Sequence, residues 1–163
     1  MIELSRVDSP VGVLTLAAGP RGLCALAFGD RMPRLAGPAR EGRPSREIAA
    51  ALEAYFGGDL RAIDGLEVDP QGTGFQRRVW AALRTIPAGT TWSYAGLARF
   101  VGQPTATRAV GAANGRNPVA LVVPCHRVIS SDGTLGGYGG GLEAKRWLLR
   151  HERSWPAQVD LAL

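Results

Sequence analysis

"SYAGLARFVGQPTATRAVGAANG" (residues 93–115) decides how the second half of this chain folds. Ser93 is a natural N-cap, because its hydroxyl oxygen can accept from the unpaired amides of a first helical turn. "SYAGLARFVG" (93–102) therefore opens a short helix, "QPTA" turns the chain, and "TATRAVGAANG" (105–115) makes a second helix. Two short helices joined by a tight turn form a helix-turn-helix, whose second helix is the usual DNA reader. Many core helix pairs share this pattern, so it does not fix a function by itself.

Downstream, "NPVALVVP" (117–124) is too apolar for a surface loop and reads as an extended run into the core. "SSDGTLGGYGGG" (130–141) is a glycine-rich turn region around Tyr138. "LEAKRWLLRHE" (142–152) is a closing amphipathic helix, with Leu142, Arg146, Leu149 and Arg153 on one face and Trp147, Leu148 and His151 on another. Upstream, Phe75, Val79, Leu83 and Ile86 fall at helical spacing from Thr73 onward, and Pro87–Gly89 ends that helix. Residues 59–72 read as a linker. The expected division is therefore an N-terminal domain with linker over 1–72 and a C-terminal domain over 73–163.

The first part alternates differently. Residues 2–7, 13–18 and 23–28 read as three short strands of an antiparallel meander, with "SPVG" and "GPRG" as turns. Residues 31–44 hold three prolines and two glycines and read as a loop. Ser45 then caps a helix whose stripe is Ile48, Leu52, Tyr55 and Phe56, stopped by Gly57–Gly58. Cys24, inside the third strand, reads as inert packing.

Charge is divided as unevenly as pattern. Residues 1–69 carry 8 Arg against 10 Asp/Glu, whereas residues 70–163 carry 11 Lys/Arg against 4 Asp/Glu. A basic second half suits a polyanion, and arginine forks suit phosphates and base edges. An arginine-rich solvated surface would look the same. Two cysteines make no disulfide framework, and with two histidines their spacing matches no zinc finger or ribbon. No metal site is expected. No apolar run approaches membrane-spanning length, and "MIELSRVDSP" lacks a signal-peptide apolar segment. A reducing cytoplasm is the expected home, with both thiols free.

The chemistry concentrates in "LVVPCHRVIS" (121–130), where Cys125 sits between Pro124 and His126. Pro124 stiffens the backbone that presents the thiol. A nucleophilic cysteine must reach its thiolate, which a nearby base or cation favours. Side chains of adjacent residues usually diverge, so a water between Cys125 and His126 is a fair alternative to direct contact. Glu152, in the closing helix, is the candidate carboxylate to orient His126. A buried structural cysteine beside a satisfied histidine is the competing interpretation.

"PCHRV" (124–128), preceded by "RAVGAANGRNPVALVV" (108–123), resembles the active-site signature of the O6-alkylguanine-DNA alkyltransferases. "FQRRVWAALRTIPAGTTWSYAGLA" (75–98) and "GYGGGLEAKRWLLRHE" (137–152) resemble that family's tyrosine-bearing segment and closing helix. The match covers residues 75–152 in order and spacing, and "SPVG" and "YFGG" fit its bacterial single-protein members. The resemblance implies an α/β (α+β) fold: a small ribonuclease-H-like N-terminal domain and a mainly helical, winged-helix-like C-terminal domain. It also implies a monomer that binds double-stranded DNA through the minor groove and flips an O6-alkylguanine out of the stack. Whether copies cluster cooperatively on DNA stays open. Cys125 would take the alkyl group irreversibly, once per molecule, from O6-alkylguanine and from O4-alkylthymine. The zinc site of eukaryotic members should be absent, since Cys24 is the only cysteine of the first half and no histidine accompanies it.

The resemblance assigns roles residue by residue. His126 would take the Cys125 proton through a water, and Glu152 would orient and stabilise His126. Asn117 would join that network and shape the turn before it. Tyr94 would donate a proton or hydrogen bond to the leaving guanine. Arg108 would fill the space left by the flipped base, with Thr107, Ala109 and Ala113 completing the DNA-binding face of the second short helix. Tyr138, Gly139 and Val128 would line the base pocket. Arg77, Arg78, Arg99, Arg116 and Arg127 are available for phosphates, although Arg127 could instead serve a core salt bridge. Three other functions suit parts of the pattern: a lesion sensor of alkyltransferase type, which lacks the cysteine of this motif; a transcription regulator; and a cysteine hydrolase, which would need turnover and an oxyanion hole.

Overall fold

The computed structural model describes residues 1–30, 34–138 and 141–154. The chain divides into two compact units: Met1–Gly72 with Pro118–Val122, and Thr73–Asn117 with the residues from Val123 on.

The first unit is built on the expected meander. β1 (Ile2–Ser9), β2 (Gly12–Gly19) and β3 (Gly22–Phe28) pair antiparallel in sequence order. Leu4, Leu14, Leu16, Leu23 and Leu26 are all buried, so leucine burial drives the sheet onto its core. Gly22 has φ +130°, and a Cβ there would lie 2.5 Å from the Glu67 carbonyl oxygen. Only glycine admits that approach, which carries Leu23 N–H to Glu67 O at 2.9 Å. Cys24 is half-buried, its thiol donating to Ala17 O at 3.4 Å. α1 (Arg46–Phe56) starts where Ser45 Oγ accepts from Ile48 N–H, and it buries Leu52 and Tyr55.

Three expectations need correction in this unit. Residues 31–44 are not all loop: β4 (Ala39–Glu41) adds to β1 as a parallel edge strand, giving the order β3-β2-β1-β4. Residues 59–72 are not a loose linker, because Ile63 and Leu66 are buried and Val68 bridges Leu23. The apolar run 117–124 is not extended throughout. Val119 bridges Leu26, Val122 N–H returns to Ala120 O, and buried Leu121 sits at φ +72°. Its apolarity reports burial rather than backbone shape.

The second unit begins with α2 (Gly74–Leu83) under a complete capping box, in which Thr73 Oγ1 accepts from Gln76 N–H and Gln76 Oε1 from Thr73 N–H. β5 (Trp92–Ser93) leads into α3 (Tyr94–Phe100), and Ser93 Oγ accepts from Gly96 N–H. α4 (Thr107–Gly115) completes the helix pair. Its seat is specific: the buried Trp80 indole of α2 donates to the Ala113 carbonyl at 2.8 Å. β6 (Val128–Ile129) pairs in parallel with β5, and α5 (Leu142–His151) closes the described fold. α5 buries Lys145, Leu148 and Leu149, while Leu142 is exposed. The buried face thus draws one leucine from each of the two expected faces, with Lys145 beside them. Among the described residues no helix is long and apolar enough to cross a membrane.

Candidate active site

Cys125, His126 and Arg127 form one turn of 3-10 helix entered from Pro124. A 3-10 turn sends consecutive side chains about a third of a circle apart. All three are buried, so each must find its own partners.

Cys125 is 6% exposed. Burial pushes its thiol up, while the Asn117 side chain, the Lys145 ammonium and the Tyr138 hydroxyl favour the thiolate. Asn117 is fixed for this work, because its Nδ2 also donates to Val123 O at 2.7 Å.

His126 turns the other way. Its Nε2 lies 2.9 Å from Glu152 Oε2, and neither side chain has any exposed surface. His126 and Arg127 hold the Glu152 carboxyl well below the usual carboxylate range, against the effect of burial. An ionised carboxylate only accepts, so Nε2 carries the imidazole proton and Nδ1 keeps a lone pair. Nδ1 is buried and has no hydrogen-bond partner among the described residues. Burial lowers the His126 pKa, which keeps the ring neutral and available as a base.

Arg127 completes the cluster. Nε and Nη2 meet the two Glu152 oxygens at 2.9 Å each, and Nη1 donates to Ile86 O at 2.6 Å. Arg127 is therefore the core salt bridge, with no donor left at the surface for a phosphate.

Tyr94 opens α3 and is half-buried. Burial and the negative charge of an ionised Cys125 both raise its pKa, so it keeps its proton and can donate. It is wedged between two glycines. A Cβ on Gly136 would stand 3.0 Å from Tyr94 Oη, and one on Gly111 would stand 3.6 Å from Tyr94 Cδ1. Gly136 also has φ +71°, a second reason for glycine there.

The remaining expected residues divide. Arg108 and Ala109 are exposed on α4 and Thr107 is half-buried, which leaves that face free for a large partner. Ala113 is instead buried at the seat of α4 on α2, so it holds the helix rather than lining its outer face. Tyr138 is beside Cys125, whereas Val128 is fully buried and its carbonyl is engaged by Lys145 Nζ. Gly139 lies outside the described residues. Arg77, Arg78, Arg99 and Arg116 are exposed.

Two side chains at the site were not singled out from the sequence. Asn114 is buried, and its Nδ2 reaches Cys125 O at 3.5 Å. Lys145 is buried between α5 and the segment after the 3-10 turn. The helical spacing of Lys145 with Leu148, Leu149 and Glu152 was the available signal.

The residues that meet at Cys125 all lie in the second of two segments that match known families. Residues 74–154 match the family model described as 6-O-methylguanine DNA methyltransferase, DNA binding domain. Residues 4–70 match its ribonuclease-like domain. The chain belongs to the 6-O-methylguanine DNA methyltransferase family. Family members similar to it include the methylated-DNA–protein-cysteine methyltransferase of Mycolicibacterium paratuberculosis, 51% identical with 99% of each chain covered. That of Methanosarcina barkeri is 46% identical, covering 91% of this chain and 95% of the relative. Among solved structures, Mycobacterium tuberculosis OGT in complex with DNA superposes with a TM-score of 0.81 at 44% identity, over 93% of each chain. The M. tuberculosis O6-methylguanine methyltransferase gives 0.80 at 42% identity over the whole of both chains. The two-part α/β architecture is that of this methyltransferase family.

Proposed function

We propose that this protein repairs DNA directly, moving the alkyl group of O6-alkylguanine in duplex DNA onto Cys125, once per molecule. O4-alkylthymine is a second substrate of the same chemistry. The observation that carries the reading is the buried chain of Cys125, His126 and Glu152, with the His126 Nδ1 lone pair unengaged by any described residue. It is a base poised next in sequence to a thiol, in a family whose relatives are named for cysteine methylation.

The steps follow from the residues. α4 meets the minor groove, with Thr107 and Ala109 allowing close approach, and Arg108 fills the stack as the damaged base leaves it. Tyr138, together with Gly139 and Val128, receives that base. The Cys125 thiol gives its proton through a water to His126 Nδ1, and Glu152 steadies the imidazolium that results. The thiolate forms a bond to the alkyl carbon as the carbon–O6 bond breaks in line. The electron pair of that bond stays on the guanine, which regains a proton with Tyr94 as donor. Asn117 holds the sulfur in place during the exchange. A thioether has no route back to a thiol here, so the protein is consumed. The step is complete without a cofactor, one protein molecule acting on one lesion.

The test is to incubate the protein with a duplex bearing one O6-methylguanine and weigh the intact protein. A gain of one CH2, mapped to Cys125 and abolished in Cys125→Ser, is the expected result. Damage-selective binding with no gain in mass would make the protein a lesion sensor and overturn the mechanism.

A further inference from the structure

Asn114 breaks the pattern of its helix. α4 reads "TRAVGAANG", and its buried face is otherwise Val110 and Ala113. Asn114 lies on that face at 4% exposure. Its Nδ2 makes one long bond, 3.5 Å to Cys125 O, a carbonyl that already accepts from Val128 N–H. Its Oδ1 is buried and has no partner among the described residues. An unsatisfied buried acceptor destabilises a fold, and leucine, of nearly the same volume, would avoid it. Stability does not explain the asparagine.

A second orphan adjoins the same peptide group. The carbonyl that Asn114 holds is bonded to His126 N, and His126 Nδ1 is likewise buried without a partner among the described residues. At rest both atoms are acceptors and cannot pair. Proton transfer changes that. When the Cys125 S–H bond breaks, the sulfur keeps the electron pair and the proton arrives on Nδ1 by way of the relaying water. Nδ1 is then a donor, and Asn114 Oδ1 is an acceptor already in place. The new cation has need of one. Facing it are Cys125 and Arg127 of its own turn, Glu152, and the chain's only lysine, Lys145, whose Nζ is held by the carbonyls of Val128, Leu135 and Gly137. α2 packs on the turn with Val79, Trp80, Ala82 and Leu83 buried, none of which ionises. Burial, Arg127 and Lys145 resist protonation of His126, while Glu152, which favours it, is shared with Arg127.

We propose that Asn114 is a positioning residue for the proton transfer from Cys125 to His126, its Oδ1 accepting from the proton gained at Nδ1, directly or across the relaying water. The bond is absent at rest and forms only with the charged state, which is how a preorganised dipole lowers a barrier. Its part in repair rests on the alkyl-transfer reading, but its link to His126 does not.

The chain has two histidines, so labelled imidazoles give two NMR signals, His126 and His151. Their titrations are followed in a Cys125→Ser background, which removes the thiol, with Asn114 kept, Asn114→Leu or Asn114→Asp. Leucine keeps the bulk and removes the acceptor, whereas aspartate places a negative charge there. The His126 midpoint is expected to fall by about one pH unit with leucine and to rise with aspartate. His151, stacked on Trp147, is the internal control and should not move. A His126 midpoint unmoved in either variant would overturn the proposal. Independently, reaction of Cys125 with iodoacetamide is measured in a Cys24→Ser background, with and without Asn114→Leu. The thiolate sulfur bonds the methylene carbon and iodide leaves. The Asn114→Leu protein is expected to react about tenfold more slowly near neutral pH, and an equal rate would again overturn the proposal. Should Asn114→Leu fail to fold, the Asn114→Asp titration decides. Neither measurement uses DNA. A native protein that takes no methyl group from DNA yet has this linkage refutes the repair reading and leaves the linkage standing.

Discussion

Glu152 Oε2 stands 2.9 Å from His126 Nε2, with both side chains sealed from solvent. The same carboxylate holds Arg127 by two bonds, so one buried negative charge serves an imidazole and a guanidinium together. Replacing the carboxylate by a neutral amide of the same size separates these jobs. Glu152→Gln leaves Arg127 buried without a countercharge, which costs about 3–5 kcal/mol. Urea denaturation should register that loss, and the surviving folded fraction should transfer methyl groups far more slowly than the native chain.

Acid should unfold the protein in two stages. His126 is held below its ordinary 6.5, and Glu152 below its ordinary 4.5. In each case the unfolded chain binds a proton that the folded chain refuses, so stability falls as pH falls. The decline should begin below about pH 6.5 and steepen below about 4.5. Thermal melts from pH 8 to pH 4 measure it, and a Tm flat from 7 to 5 would contradict the neutral, buried His126.

Gly136→Ala should damage the site through Tyr94. The added Cβ falls 3.0 Å from Tyr94 Oη at a backbone angle of +71°. The conformational cost is about 1 kcal/mol or more. Displacement of the hydroxyl should slow transfer from O6-methylguanine on the order of tenfold to a hundredfold. Tyr94→Phe alone should also slow it, and the double variant should be little slower than the worse single one. Single-turnover rates on all three proteins would reveal additive losses if the two residues act separately.

Trp80→Phe should act on DNA binding and spare the thiol. It removes the indole bond to Ala113 O, worth about 1 kcal/mol, and loosens α4 on α2. Affinity for duplex DNA should fall in a titration, whereas the iodoacetamide rate at Cys125 should not change.

The sequence made much of this legible where local rules apply. The caps at Ser45, Thr73 and Ser93 lie where residue chemistry places them. The three meander strands and the stripe of α1 follow their periods. β4 was hidden because Ala39, Arg40 and Glu41 are all exposed and their pairing with β1 spans more than 35 residues. The turn around Leu121 was hidden because burial and extension leave the same apolar signature in a short run. Lys145 was hidden because a search for apolar stripes passes over a charged residue. Its neighbours Leu148 and Leu149 mark the buried face, and only the three carbonyls, supplied by distant segments, explain a cation among them.

The burial of the lone lysine also shapes how the molecule meets reagents and handling. Amine-directed crosslinkers, fixatives and surface couplings find no lysine side chain on the folded protein. Labelling at Lys145 must await the opening of α5, so its rate is a clock for that opening. Read at Lys145 rather than at the exposed Met1 α-amino group, an ordinary acylating reagent becomes a gauge of how often this core comes apart.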